Sequence, residues 1–250
     1  MKEHVSFSPV QLAELVDPVK NGNVFEETVE KLLSLISAGL IPPNGKLPSE
    51  RELVEILGVS RSAIREALVE LQKTGYVEIR RGRYGGAFVQ LEGLSAHGSK
   101  KVDKNELEDL LKYREILESA IAQEVARQNL SAAQRAGLLA RLEEVNAAPA
   151  HLYRFYDSRF HLYLAQLTGV SRLAKAIVEV RAVLNEHLDT FPLLEKNLVH
   201  SSEQHSAIVH AVLGGNAESA EHHMRSHVQG TASLLRGFLF SRSSNEPNTT

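Results

Sequence analysis

The chain has 250 residues, of which 43% are hydrophobic and 24% charged, and its formal net charge is −3. This length predicts two domains, and the lack of cysteine excludes disulfides, thiolate metal sites and cysteine nucleophiles. No apolar run is long enough to span a membrane and the N-terminus lacks the pattern of a secretion signal, so we expect a cytoplasmic protein without a membrane partner.

The first predicted helix follows an N-terminal extension of residues 1–22. Apolar residues recur at helical spacing over residues 25–36, which predicts a helix with one buried face. A second helix begins at Ser49, whose hydroxyl forms a capping box with Glu52, and it ends at Gly58.

A third helix and a hairpin complete the N-terminal domain. The helix runs from Ser60 to Gly75, after which the apolar period changes from helical to alternating. The alternation predicts strands over residues 76–81 and 87–91, joined by a Gly- and Arg-rich tip. Three helices followed by a hairpin predict a winged helix-turn-helix over residues 23–91.

The rest of the chain is predicted to be helical. Residues 92–104 lack periodicity and are interpreted as a linker, and the polar residues 241–250 as a disordered tail. Between them lies an all-α bundle, residues 105–240, which makes the protein mainly α. Its six predicted helices cover residues 105–128, 131–146, 151–168, 171–190, 198–213 and 216–240.

The third helix carries the side chains best placed to read DNA. The second helix of a helix-turn-helix enters the major groove with its outward N-terminal residues, which here are Ser60, Arg61, Ser62 and Arg65. The two arginines lie four residues apart on one face, and a guanidinium can bond both acceptors of a guanine edge. A solvated helix face is the alternative interpretation of each arginine alone, but their combination in this architecture favours DNA.

Further basic residues flank this helix. Arg51 is positioned to approach the same groove or its phosphates, and the wing tip carries Arg80, Arg81 and Arg83 beside Gly82. Residues 61–83 hold six basic and three acidic side chains, a local excess that the whole-chain charge conceals.

Residues 45–89 carry a dense motif, GKLPSERELVEILGVSRSAIREALVELQKTGYVEIRRGRYGGAFV. The stretches LPSER, VSR and REAL resemble the signature of the DNA-binding domain of the GntR family of bacterial regulators. The resemblance implies that Arg51, Arg61 and Arg65 contact DNA bases or phosphates. It also implies that Gly82, in the wing, enters the minor groove.

Nine of the eleven histidines lie between residues 151 and 227. Four polar residues project from apolar stripes of three predicted helices, where a buried imidazole needs a polar partner: Asp157, His161, His205 and His227. By contrast, His210 and His222 fall on polar sides and are expected to be exposed. Spacing alone leaves two interpretations open, a shared metal ion or separate core histidines with their own hydrogen bonds.

The C-terminal half resembles the ligand-binding domain of the FadR subfamily of GntR regulators, the FCD type, in its metal-binding form. The stretches that carry the resemblance are YREILESAIAQEVA, FYDSRFHLYLAQLTG, SSEQHSAIVHAVLGGNAESA and MRSHV. It implies Asp157, His161, His205 and His227 as metal ligands, with water or an effector carboxylate at the open positions. Mixed nitrogen and oxygen ligands suit Zn²⁺, with Ni²⁺, Mn²⁺ and Fe²⁺ as alternatives.

Arg114 stands among apolar residues of the first bundle helix, with Glu118 one turn later. A buried arginine needs an anion. One interpretation is an internal pair with Glu118, and the other is an anchor for the carboxylate of an effector beside the metal.

These patterns together predict a transcription repressor and not an enzyme. We expect a homodimer that binds a palindromic operator in double-stranded DNA and responds to a small organic acid. A metal hydrolase or non-haem iron oxygenase using the Asp/His site is one alternative, and it leaves the winged helix unexplained. The other is an architectural DNA-binding protein whose helical domain only dimerises.

Overall fold

A computed structural model describes residues 7–19, 24–82, 84–90, 103–188 and 195–240. The predicted tail, most of the predicted linker and Arg83 of the wing tip lie outside the described residues. The predicted fold class is confirmed, because a winged helix is followed by an all-helical domain. None of the helices in the described ranges has the length and apolar character that crossing a membrane requires.

The winged helix has the predicted order of elements. Ser49 Oγ accepts from the backbone of Glu52 while the Glu52 carboxylate accepts from the backbone N–H of Ser49, so the predicted capping box starts the second of its helices. The strands pair antiparallel, with Val77 opposite Val89. The apolar spacing from residue 25 onward predicted that Phe25 belongs to the buried face of its helix, but this was wrong: Phe25 is 37% exposed, and burial begins at Thr28. The elements are α2 (Val24–Ser37), α3 (Glu50–Leu57), α4 (Arg61–Lys73), β1 (Val77–Arg80) and β2 (Gly86–Val89).

The C-terminal domain contains the six predicted helices and a short 3₁₀ turn at Ala150–Leu152. Asp103 caps the first of them with its carboxylate, so that helix begins at the last residue assigned to the linker. The helices are α5 (Lys104–Ala126), α6 (Ala132–Asn146), α7 (Tyr153–Leu167), α8 (Ser171–Leu188), α9 (Glu195–Leu213) and α10 (Ala217–Phe240). Helix α10 packs along α5 and α9, while α7 packs between α6 and α8.

A helix that the sequence analysis missed, α1 (Pro9–Leu15), lies in the N-terminal extension. Ser8 caps it in a box with Gln11, and Leu12 and Leu15 are buried. It packs against α3 of the winged helix and against α8 of the bundle. Because α2 also packs against α8, the two domains share a continuous apolar core.

Truncating Leu12 tests whether α1 belongs to that core. Leu12 is fully buried, so we expect Leu12→Ala to lower the free energy of unfolding by at least about 2 kcal/mol, measured by urea denaturation. Val10 on the same helix is 70% exposed, and Val10→Ala should change stability by less than about 0.5 kcal/mol. Equal effects of the two substitutions would contradict the packing of α1.

Candidate DNA interface and candidate metal centre

Helix α4 presents a polar face at its N-terminus. Ser60 caps the helix, since its hydroxyl oxygen accepts from the backbone N–H of Ala63, and it lies 2.8 Å from the hydroxyl of Ser62. The apolar face of α4 is buried against the domain, which leaves Arg61 and Arg65 exposed on the opposite side. Every residue predicted to reach base edges from this helix is therefore accessible.

Two of the predicted DNA-contacting arginines make exposed ion pairs. Arg65 Nε donates to Glu50 Oε2 at 2.7 Å, and Arg51 Nε donates to Glu55 Oε1 at 3.3 Å. Their side chains are 65% and 78% exposed. Such surface pairs are worth about 0–1 kcal/mol, so exchanging them for DNA acceptors costs little.

The wing tip exposes Arg81 and Gly82 between β1 and β2. Gly82 has φ +102°, a backbone conformation that side chains disfavour, so glycine is the residue suited to this turn. Arg80, by contrast, donates to Glu78 and lies over the ring of Phe88. Arg81 is therefore the wing arginine better placed to reach a groove.

The four predicted metal ligands converge in the interior of the C-terminal domain. Helix α7 contributes Asp157 and His161 one turn apart, α9 contributes His205 and α10 contributes His227. One potential ligand atom from each lies within 4.8 Å of all the others, and all four residues are buried. His205 Nε2 is 3.2 Å from Asp157 Oδ1, and His161 Nε2 is 3.7 Å from the same oxygen.

This donor set fits a divalent ion. Among the described residues, His227 Nε2 is buried and has no hydrogen-bond partner. An unsatisfied buried polar atom costs roughly 1–3 kcal/mol, which an ion accepting its lone pair would remove. Three imidazoles and a carboxylate are ligands that Zn²⁺ and its neighbours in the transition series bind.

The pKa values of the candidate ligands are shifted in the directions that favour cation binding. Burial would raise the pKa of Asp157, but the Arg181 guanidinium and hydrogen bonds from His161 and His205 hold that pKa well below its ordinary value. Burial lowers the pKa of His205, and burial together with the neighbouring histidines lowers that of His227. Near neutral pH the site therefore offers an ionised carboxylate from Asp157 and neutral imidazoles from His205 and His227, the forms that bind metals.

A second layer of polar groups orients the ligands. His161 Nδ1 contacts Glu118 Oε2, and Glu118 Oε1 accepts from Arg114 Nε at 2.7 Å. His227 Nδ1 lies 3.1 Å from Gln204 Oε1, an acceptor that favours a proton on Nδ1 and leaves Nε2 free for a ligand bond. Arg181 donates to Asp157 Oδ2.

Sequence reasoning missed three of these contacts. It considered Glu118 only as a partner of Arg114, and it assigned no role to Gln204 or Arg181. Arg181 could have been suspected, because it is a charged residue within the apolar stripe of α8. Gln204 gave no such signal, since it lies at the edge of its helix's buried face.

A cavity of about 510 Å³ opens beside the four ligands. Asp157 and His227 form part of its wall, together with Arg114 and Arg181. Arg114 is buried and pairs with Glu118 through Nε. Its Nη1 has no hydrogen-bond partner among the described residues, so this group can still donate to a ligand. Polar residues of α9 and α10 also line the cavity: Asn197, His200, Ser201, Gln204, Thr231 and Ser233.

The orienting role of Gln204 can be measured directly. Removing a partner of a metal-bound histidine typically lowers metal affinity by about 10- to 100-fold, and we expect this loss in Gln204→Ala. Competition with a chromogenic chelator for Zn²⁺ measures it. Glu203→Ala, at the exposed neighbouring position, should bind Zn²⁺ as the unmodified chain does. Equal affinities in the two variants would remove Gln204 from the site.

Two family profiles match the chain, in the order of its two domains. The family described as "Bacterial regulatory proteins, gntR family" matches residues 25–89, and the FCD domain matches residues 109–230. The first match covers α4 and the wing, and the second covers all four candidate ligands.

Curated relatives are similar along most of the chain. The HTH-type transcriptional regulator LutR of Bacillus subtilis is 30% identical over 220 residues, which are 82% of this chain and 98% of LutR. The Uxu operon transcriptional regulator of Escherichia coli is 29% identical over 232 residues, 86% of this chain and 87% of that protein. Among solved structures, E. coli McbR/YncC has the same fold, with a TM-score of 0.54 at 20% identity over 87% of this chain and 99% of that one.

Proposed function

The chain belongs to the GntR family of bacterial regulatory proteins, and we propose that it is a repressor released from its operator by a small organic acid. It is a DNA-binding transcriptional regulator with an FCD effector-binding domain. The relatives and domains it matches are transcriptional regulators and not enzymes. The observation that carries the proposal is a cavity with buried metal ligands and a buried arginine, in the same chain as an exposed recognition helix.

The DNA-reading part comprises residues 23–91 in this proposal. Arg61 and Arg65 read base edges in the major groove together with Ser60 and Ser62, and Arg51 reaches the flanking phosphates or bases. Arg81 and Gly82 of the wing follow the adjacent minor groove. Two observations support the assignment. These residues are exposed, and the surface ion pairs that Arg51 and Arg65 make are weak.

The regulator acts as a homodimer on a palindromic operator in the cytoplasm. One winged helix carries a single recognition helix, so two copies related by a twofold axis read two half-sites. Exposed apolar side chains on the bundle support contact between copies. Tyr113 and Ile116 are neighbours on the outer face of α5, and Val183 is exposed on α8.

The sensing part comprises residues 105–240, with 92–104 as the linker. Asp157, His161, His205 and His227 hold a divalent ion, for which Zn²⁺ suits the ligand set best and Ni²⁺, Mn²⁺ or Fe²⁺ are alternatives. When bound, the ion supplies positive charge and open coordination positions for a carboxylate.

The balance of buried charge favours an acid as the effector. The carboxylates of Asp157 and Glu118 face the guanidinium groups of Arg114 and Arg181, so these four buried charges cancel. A divalent ion adds two positive charges, and the described residues include no further buried carboxylate to offset them. An anionic ligand reduces this excess, and Arg114 Nη1 offers it a charge-assisted hydrogen bond.

A thermal-shift screen of small mono- and dicarboxylic acids against the Zn²⁺-loaded protein tests this function. The acid with the largest shift should also release the protein from DNA enriched from a random pool by the unmodified chain. In Arg114→Lys we expect its affinity to fall about 10- to 100-fold, because a charged hydrogen bond worth roughly 1.5–3 kcal/mol is lost. Lysine keeps a cation beside Glu118, so the domain still folds.

The matched control is Arg225→Lys. Arg225 also pairs with carboxylates, those of Glu115 and Glu221, but it lies outside the cavity lining. This variant should bind the acid as the unmodified chain does. An acid that binds Arg114→Lys equally well, or a panel without any binder, would count against an organic acid held by Arg114.

A further inference from the structure

The C-terminal end of α2 in the winged helix is capped by a side chain of the other domain. The last carbonyls of a helix have no partner within it. Asn185 of α8 donates from Nδ2 to the backbone carbonyl of Ser37 at 2.6 Å, and both residues are buried. A hydrogen bond shielded from water therefore joins the DNA-binding domain to the sensing domain.

The same amide leads back to the candidate metal centre. Asn185 Nδ2 also donates to Ser158 Oγ at 2.9 Å, and Arg181 Nε donates to that oxygen at 3.2 Å. The Arg181 guanidinium in turn donates to Asp157. A continuous path of buried hydrogen bonds thus connects a candidate ligand with the last turn of α2.

Close packing surrounds this path. Gly39 follows α2 with φ +71°, and a Cβ at this position would lie 3.2 Å from Ser158 Cβ and 3.3 Å from the carbonyl oxygen of Phe155. The backbone after α2 therefore rests directly on α7. Because packed interiors have little free volume, a shift of Ser158 must move Gly39 or Asn185.

We propose that Arg181, Ser158 and Asn185 form a coupling relay, a chain of hydrogen bonds through which binding at the metal and acid site changes the stability of the end of α2 in the winged helix. The inference rests on the proposed function, because that site is its input. Asp157 uses Oδ2 for Arg181 while its Oδ1 faces the histidines, so a cation bound there competes with Arg181 for the same carboxylate.

An acid supplies a second input to the same relay. Arg181 lines the cavity, so an entering carboxylate offers its guanidinium a new acceptor. The relay also has room for another arrangement, because Asn185 Oδ1 is buried without a hydrogen-bond partner in the described part of the chain. Coupling requires such an element with two arrangements that both sites bias.

Hydrogen exchange of the full chain tests the relay, with Zn²⁺ alone as the probe. The backbone amides of Ala38, Gly39 and Leu40 are hydrogen-bonded at the end of α2. We expect Zn²⁺ added to chelator-stripped protein to change their exchange rates about fivefold, the lower range of allosteric couplings. In Asn185→Ala this change should fall below about twofold, while protection of α9 and α10 by Zn²⁺ persists.

Two further variants make the result decisive. Asn146→Ala removes an exposed asparagine remote from the relay and should respond as the unmodified chain does. Ser158→Ala interrupts the path but leaves the hydrogen bond between Asn185 and Ser37. It should also lose the change in exchange at residues 38–40 on adding Zn²⁺. This variant replaces Asn185→Ala in the test if Asn185→Ala does not fold.

Each of the following three outcomes would contradict the proposed relay. If Zn²⁺ protects α9 and α10 but leaves residues 38–40 unchanged, the metal site stands and the relay is wrong. A response that persists in Asn185→Ala and Ser158→Ala would be general stabilisation, which also overturns it. If Zn²⁺ protects nothing, the metal site of the proposed function fails and the relay falls with it.

Discussion

Replacing both Arg61 and Arg65 with alanine is expected to lower affinity for operator DNA at least about thirtyfold. Each bidentate contact between an arginine and a guanine contributes roughly 1–3 kcal/mol of discrimination, and two contacts at independent bases add. Electrophoretic mobility shift or fluorescence anisotropy measures the loss. The DNA probe is the sequence that the unmodified chain enriches from a random pool.

The folded state should not change in this double variant. Both arginines are exposed, and the ion pair between Arg65 and Glu50 that the variant removes is of the kind worth about 0–1 kcal/mol. The matched control is Arg172→Ala, which removes an exposed arginine from α8 of the other domain. It should bind the probe as the unmodified chain does. An unchanged operator affinity in the double variant would refute the assignment of α4 as the reading helix.

Local signals were sufficient to predict the winged helix. Ser49, Glu52 and Gly58 set the ends of α3 by capping chemistry that depends only on nearby residues. The change from helical to alternating period marked the start of the hairpin. Such signals do not require knowledge of the tertiary structure, which is why the elements of this domain were placed within a residue or two.

Helix α1 shows where local signals are insufficient. It has only seven residues, and an isolated helix of that length is unstable in water. Its stability comes from Leu12 and Leu15, which pack against α3 and α8. No periodic pattern of useful length indicates such a helix, so the sequence alone predicts only an extension here.

The cluster of candidate metal ligands was predictable from the sequence, but its surroundings were not. Asp157, His161, His205 and His227 each interrupt an apolar stripe, and that interruption by itself indicates a buried polar residue. Arg181 and Asn185 act through partners brought close only when α7, α8 and α2 pack together. Contacts between such distant segments leave no characteristic spacing in the sequence.

Replacing His205 with alanine is expected to abolish stabilisation of the protein by Zn²⁺. At a free concentration of about 100 times Kd, an ion that binds only the folded state stabilises it by about 2.7 kcal/mol. For a chain of this size that corresponds to a rise in melting temperature of roughly 5–10 °C. His205 is fully buried at the centre of the candidate site, so its loss removes one of four ligands.

The comparison must be made within each variant. His205→Ala also leaves a cavity, which lowers the melting temperature with or without metal, so the informative quantity is the shift between chelator-stripped and Zn²⁺-loaded protein. His210→Ala is the matched control, because His210 lies on the same helix but is exposed. We expect the full shift in His210→Ala and none in His205→Ala. If both variants keep the shift, Zn²⁺ binds elsewhere. If the unmodified chain shows none and is purified without stoichiometric metal, the helical domain is not a metal-dependent sensor, and the buried histidines must be stabilised by their protein neighbours alone.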